Sequence, residues 1–308
     1  MATTTAPSRP KGRGLQLLTR RDKTVLTLMV GLPALLVGAV VWVPVVLTVL
    51  LSFTSWNGFG LPGPSDWVGT QNYVDITTNY PPFWIAIRNN ALWLVVFFLI
   101  ATPLGMLMAV LLDRELKGSW FYRSALYMPV VLSLALAGFI WQLIYSRDQG
   151  LLNRVLGLDG AERIDWYGDP DVNIWAVLLI ASWRHVGYIM LLYLAGLKSV
   201  DPALKEAAAV DGASEGRTFF SVVFPTLRPI NVVVLVITVI ESLRAFDLVW
   251  VINRGRNGLE VLGALITANL IGEASLVGFG SALASILIGV SLVFIVIYMV
   301  NILREDKP

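Results

Sequence analysis

Long apolar stretches alternate with short polar connections along the whole chain. Val25 to Leu51, Ala91 to Leu112, Leu126 to Tyr145 and Leu276 to Leu303 contain no Asp, Glu, Lys or Arg. At about 1.5 Å of rise per residue, each is long enough to cross roughly 30 Å of hydrocarbon as a helix. Two further stretches, about Asn173 to Leu197 and about Thr226 to Ile252, have the length and apolar content but carry internal charges. None shows strand-like alternation, and backbone groups in lipid must be satisfied within the segment, so the pattern predicts helices rather than a barrel. The expected fold is all-α and integral to the membrane. A tail over 1–24 precedes a domain over 25–308 with six transmembrane helices at about 25–51, 91–112, 126–145, 173–197, 226–252 and 276–303.

Composition agrees with this reading. Charged residues make up 14% of 308, hydrophobic residues 56%, and the mean hydropathy is +0.71, whereas a soluble domain carries roughly 25% charge. The first apolar run is too long for the roughly 7–15-residue core of a cleaved signal, so it is expected to remain as a span. Lys and Arg then set the orientation. Arg9, Lys11, Arg13, Arg20, Arg21 and Lys23 lie before the first span. Arg114, Lys117, Arg123, Lys198, Lys205, Arg217, Arg228, Arg304 and Lys307 fall in the connections and terminus on the same side. The other side has only Arg88, Arg147, Arg154, Arg163, Arg254 and Arg256. The positive-inside rule therefore places both termini in the cytoplasm. A net charge of +2, grouped by topology, excludes nucleic acid as a partner. With no cysteine and one histidine, disulfides and multi-histidine metal sites are excluded as well.

The loop over 198–228 has legible local chemistry. Asp201 can cap a helix that opens with Pro202, Ala203 to Val210 propagate it, and Gly212 supplies a left-handed stop. A second short helix is expected from near Ser214 to about Val223, ending before Pro225. The result is a helix–turn–helix knob with Ala207, Ala208 and Ala209 as a small-residue surface. Gly212 to Thr218 also looks like a degraded phosphate loop, but the glycine spacing is short, Arg replaces Lys and no strand precedes it, so the chain is not expected to bind ATP.

This loop resembles the EAA loop of ABC importer permeases, with Glu206, Ala207, Ala208, Gly212, Val222 and Pro225 at the family spacing. The extended form of the sugar-permease branch is matched by Tyr193, Gly196, Leu197, Pro202, Asp211, Ala213, Phe219 and Pro229. Ala245-Phe246-Asp247 and Phe279-Gly280-Ser281-Ala282 look like the same branch, and the likeness covers roughly Phe83 to Arg304. The resemblance implies the type I ABC importer permease fold. It also implies two permease subunits, the second a related but different chain, two cytoplasmic ABC ATPases that bind ATP and Mg, and an extracytoplasmic solute-binding protein. No cofactor is expected in this chain itself. Glu206, Ala207, Ala208, Asp211, Gly212 and Pro225 would then make up the contact with the ATPase. One departure touches the substrate: where the branch often has Thr-Gly-Gly-Gly-Pro before the last span, this chain has Asn253-Arg-Gly-Arg-Asn-Gly258.

Inside the apolar stretches, Arg184 and His185 sit in the middle of the fourth, and an unpaired arginine there costs about 2.5–3.5 kcal/mol on insertion scales. Glu241, Arg244 and Asp247 recur at three-residue steps in the fifth, so at about 100° per residue they are expected on one inward-facing arc roughly 120° wide. With Arg184 these charges sum to zero, and Glu241 is its natural partner; the set could fix packing or line a solute route. A secondary carrier would explain the charges but not the knob, and there is no two-fold repeat. A membrane hydrolase lacks an evident nucleophile or metal motif. An importer of a sugar or sugar-like solute is the leading expectation, ahead of one for a glycerol phosphate, amino acid or polyamine.

Overall fold

The computed structural model describes residues 19–114, 118–272 and 275–305. Arg9, Lys11, Arg13, Lys117 and Lys307 of the basic set, and the side chain of Arg304, lie outside the described residues. The chain divides into two compact units, Met1–Thr48 and Val49–Pro308. All regular structure among the described residues is helical apart from one isolated antiparallel bridge between Thr54 and Trp67.

The first unit holds most of α1, Arg20–Leu51. Thr19 and Asp22 form a capping box at its start, the threonine hydroxyl accepting from the Asp22 amide at 3.2 Å. Its most apolar 18-residue stretch buries nothing within the chain.

The second unit contains α2 (Gln71–Thr78), α3 (Pro81–Asp113), α4 (Ser119–Val131), α5 (Leu134–Tyr145), α6 (Asn173–Leu197), α7 (Pro202–Val210), α8 (Glu215–Thr218), α9 (Arg228–Leu243), α10 (Asp247–Asn253), α11 (Leu262–Ile271) and α12 (Val277–Glu305). The second half of α3 packs along α6 where Gly105 lies under Ile189 and the Val186 carbonyl. On α6 itself Gly187 faces the Leu126 carbonyl of α4 and Gly196 faces Ile230 of α9. Lipid tails are as apolar as leucine, so helices gain by close van der Waals approach, and missing side chains at the contact permit it. Three apolar clusters fill the unit. One centres on Trp93, Phe97, Val177 and Val249, one on Ile189, Met190 and Leu227 toward the knob, and one on Ile76, Phe83, Leu262 and Leu283 at the far end.

Four helices are long and apolar enough to cross a membrane: α1, α3, α6 and α12, the last over Val277–Ile297. A fifth crossing is available if α4 and α5 count together, but they meet at 101°. The straight helix expected over 126–145 is therefore broken. Leu132 and Ser133 are extended, and the Ser133 hydroxyl caps the new helix by accepting from the Leu136 amide at 3.2 Å. The single helix expected over 226–252 is also broken. Helix α9 has 16 residues, about 24 Å of rise, and Phe246 leaves the helical region before α10 begins. Helix α3 starts at Pro81 rather than Ala91, because Arg88, Asn89 and Asn90 extend the helix while interrupting the hydropathy signal. The apolar ten-residue helix α11 was not anticipated; it folds back on α12.

Candidate functional site

Breaks in helices free backbone groups that hydrocarbon cannot solvate, and side-chain amides take them up. Asn90 donates from Nδ2 to the Ser242 carbonyl at 3.1 Å, beside the gap between α9 and α10, and accepts at Oδ1 from the Leu262 amide at 3.0 Å. Asn89 donates to the carbonyls of Gly258 and Glu260, each at 2.8 Å. Gln142 donates to the Val251 and Ile252 carbonyls at the end of α10, at 2.8 and 3.1 Å. Asn173 reaches the Asn257 carbonyl at 2.6 Å. The segment from Val251 to Leu262 is thus held by amides from α3, α5 and α6. Beside it the Tyr167 hydroxyl donates to the Trp141 carbonyl, and burial pushes that phenol above its ordinary range, so it stays a neutral donor.

The expected intramembrane residues come together around the break. Arg184, His185, Glu241, Arg244 and Asp247 line one cavity of about 30 Å³ with Trp93, Phe97 and Phe246. Arg184 Nη1 stands 3.6 Å from Glu241 Oε2, with side chains 28% and 35% exposed. The expectation of one arc on a continuous helix is corrected, since α9 ends at Leu243 and Asp247 belongs to α10; the turn rather than the helical period gathers them. Among the described residues no ion pair forms at Arg244 or Asp247. His185 is buried and lies 3.3 Å from both the Thr102 and Thr238 hydroxyls, which are 3.1 Å apart. Its ring stacks on Phe97 with centroids at 4.1 Å and planes at 21°. Phe97 and Thr102 reach the same imidazole because Phe97–Ala101 is a π turn, whose extra residue rotates Thr102 back toward Phe97. A cavity of 30 Å³ holds one or two waters and no sugar ring. A larger apolar groove of about 570 Å³ runs between α9 and α12, lined by Leu235, Val239, Ile240 and Phe294, with Arg228 and Arg244 among its polar residues.

The second cluster is the knob. Asp201 caps α7 by accepting from the Ala203 amide at 2.9 Å, Pro202 is its first residue, and Gly212 has φ of 75°. Ser214 caps α8. The second helical stretch does not end before Pro225. A π turn over Phe219–Val223 leads into Phe224–Thr226, with Pro225 in the first turn of that last piece. Ala208 is buried, so of the three alanines only Ala207 and Ala209 face outward with Glu206, Asp211 and Pro225. Val210 and Phe220 add exposed apolar surface, 88% and 67% exposed.

Sequence reasoning missed Asn89, Asn90, Gln142 and Asn173, together with Thr102 and Thr238. Their signal was the appearance of amides and hydroxyls inside or beside apolar runs, where a polar group without a partner is costly.

Long apolar helices, interrupted ones whose backbone is satisfied by buried amides, and a polar knob at one end define a multi-pass membrane protein. Over residues 23–306 the chain matches the family described as binding-protein-dependent transport system inner membrane component, and it belongs to that family. It is 31% identical over 274 residues to a probable ABC transporter permease protein of Pyrococcus horikoshii, covering 87% of this chain and 92% of the relative. It is 31% identical over 288 residues to the sulfoquinovosyl glycerol transport system permease protein SmoG of Agrobacterium fabrum, covering 92% of each. In fold it is similar to a chain of a bacterial ABC transporter involved in the import of the acidic polysaccharide alginate. There the TM-score is 0.77 at 20% identity, covering 94% of this chain and 98% of the other. It is accordingly a permease component of an ABC transporter and not an enzyme.

Proposed function

We propose that this chain is one of two permease subunits of an ATP-driven importer in the cell membrane, moving a sugar or sugar-like solute released by an extracytoplasmic binding protein. The observation that carries the reading is the match to the transport family over 23–306 together with a knob whose cap, proline and left-handed glycine stand where the EAA loop has them. The chain crosses six times, over the domains set out from the sequence, with both termini in the cytoplasm. In this reading α9 and α10 form the fifth crossing as a broken helix and α4 with α5 the third. The second permease is a related but different chain. Two ATPases bind ATP and Mg and receive the knob through Glu206, Ala207, Asp211, Gly212 and Pro225, while Ala208 keeps α7 seated from beneath. The sugar class is supported by what relatives are named for, sulfoquinovosyl glycerol and xylose/arabinose among them. The small cavity around Arg184 is a gate rather than a resting place for solute, given its size of about 30 Å³.

The test is to express the chain with the permease, ATPase and binding protein encoded beside it. The binding protein is screened by thermal shift against mono- and oligosaccharides, glycerol phosphates, amino acids and polyamines, and uptake of the stabilising solute is measured in proteoliposomes. ATP-dependent saccharide uptake is expected. A complex without an ATPase, or a binding protein stabilised only by a non-saccharide, would overturn the respective half of the reading.

A further inference from the structure

The knob is fastened to the bundle in an uneven way. Its base is packed: Val223 and Leu227 belong to the apolar cluster of Ile189 and Met190. Farther out a cavity of about 270 Å³ separates it from the end of α3, floored by Val110, Leu197, Ala213 and Phe219. Across the rim of that cavity the contacts are ionic. Asp113, the last residue of α3, stands 3.8 Å from Lys198 Nζ at the knob's entry and 3.3 Å from Lys205 Nζ on α7. Arg114 stands 2.6 Å from Glu215 at the start of α8. The Asp113 side chain is 20% exposed, so its two bonds are partly shielded from water, whereas Glu215 is 82% exposed.

We infer that Asp113 and Arg114 form a strap that fixes the tilt of the knob, Asp113 holding the lysines before and on its first helix and Arg114 the glutamate of its second. Adjacent residues of opposite charge meet complementary charges on two different helices, so only one orientation satisfies both. Apolar contact across a cavity leaves the tilt free, and the ion pairs bridge what packing does not fill. Asp113 is the principal positioning residue because it is the more shielded and holds two partners. The inference rests on the knob being the part that meets the ATPase.

The chain has no cysteine, so spin labels at Val210→Cys on the knob and Leu111→Cys on α3 report the tilt in the assembled complex in nanodiscs. A narrow inter-spin distance distribution is expected for the otherwise native chain, at least twofold broader with Asp113→Asn and narrow again with Asp113→Glu. Retention of the co-expressed ATPase on the purified permease should fall at least threefold with Asp113→Asn. If Asp113→Asn does not accumulate in the membrane, Lys198→Met with Lys205→Met removes the same contacts from the knob side. An unchanged distribution in whichever of these variants is measured, or broadening by Asp113→Glu equal to that by Asp113→Asn, would overturn the strap. Gly212→Val, which bends the knob at another point, separates docking from the strap. If the ATPase stays fully bound and stimulated there, the docking reading fails, while the distances still judge the strap.

Discussion

Replacing Gly105 by alanine tests whether close helix approach holds this bundle together. A Cβ at Gly105 would lie 2.8 Å from Ile189 Cβ and Cγ2 and 2.9 Å from the Val186 carbonyl oxygen. Ordinary contact begins near 3.5 Å, so α3 and α6 must separate by about 0.7 Å, a gap that forfeits a quarter to a half of each dispersion contact along the seam. Overpacking of this kind costs about 1–3 kcal/mol, and the better helix propensity of alanine returns about 1. Gly31 is the control: it lies inside α1 and a Cβ there meets nothing within 4 Å, so only the propensity gain applies. Gly105→Ala should therefore be less stable than Gly31→Ala by about 1–3 kcal/mol, a loss of several degrees in thermal unfolding of the detergent-solubilised protein followed by size exclusion. Gly187→Ala should be worse, because its Cβ runs into the backbone carbonyl of Leu126, which cannot rotate away. Equal stability of the Gly105 and Gly31 variants would refute the idea that the seam is built on a missing side chain.

Arg184→Gln or Glu241→Gln alone should lower the amount of folded protein by stranding the other charge, and the double variant should recover part of the loss; additive damage would count against pairing. Gly212→Val, at φ of 75°, should strain the turn by about 1–2 kcal/mol, leaving insertion intact while solute-stimulated ATP hydrolysis and uptake fall together. Glu206→Lys should do the same by reversing a charge at the docking face, and full stimulation in either variant would remove that residue from the contact. Single cysteines at Ser119 and Ser214 should react only from the cytoplasm and those at Ser65 and Asn257 only from outside; external labelling of Ser214 would sink the six-crossing topology.

Apolar length carried most of the fold. Val25 to Leu51, Asn173 to Leu197 and Leu276 to Leu303 became helices α1, α6 and α12 with ends close to those expected, because nothing but a helix satisfies their backbone in lipid. The knob was legible for a different reason: Asp201, Pro202, Gly212 and Ser214 act on their own neighbours, and such local bonds can be read from spacing. What hydropathy could not show were the breaks. Leu132 and Arg244 to Phe246 are not turn formers; they leave the helix because Ser133 and Asn90 supply partners, the second from a distant helix. The inward face of Ala208 was hidden likewise, since alanine carries no polarity to say which side is wet.

Helix α3 is gripped at its two ends by unlike chemistry. Near its start, Asn89 and Asn90 are 0% and 5% exposed and hold neutral backbone groups; at its finish, Asp113 and Arg114 hold ionised side chains close to water. Raising salt from about 0.15 M to 1 M shortens the Debye length from about 8 Å to 3 Å. Dissolved ions therefore weaken one grip and leave the other untouched. Ionic strength becomes a one-sided control on this helix, loosening its knob end while its amide-bound end stays fixed.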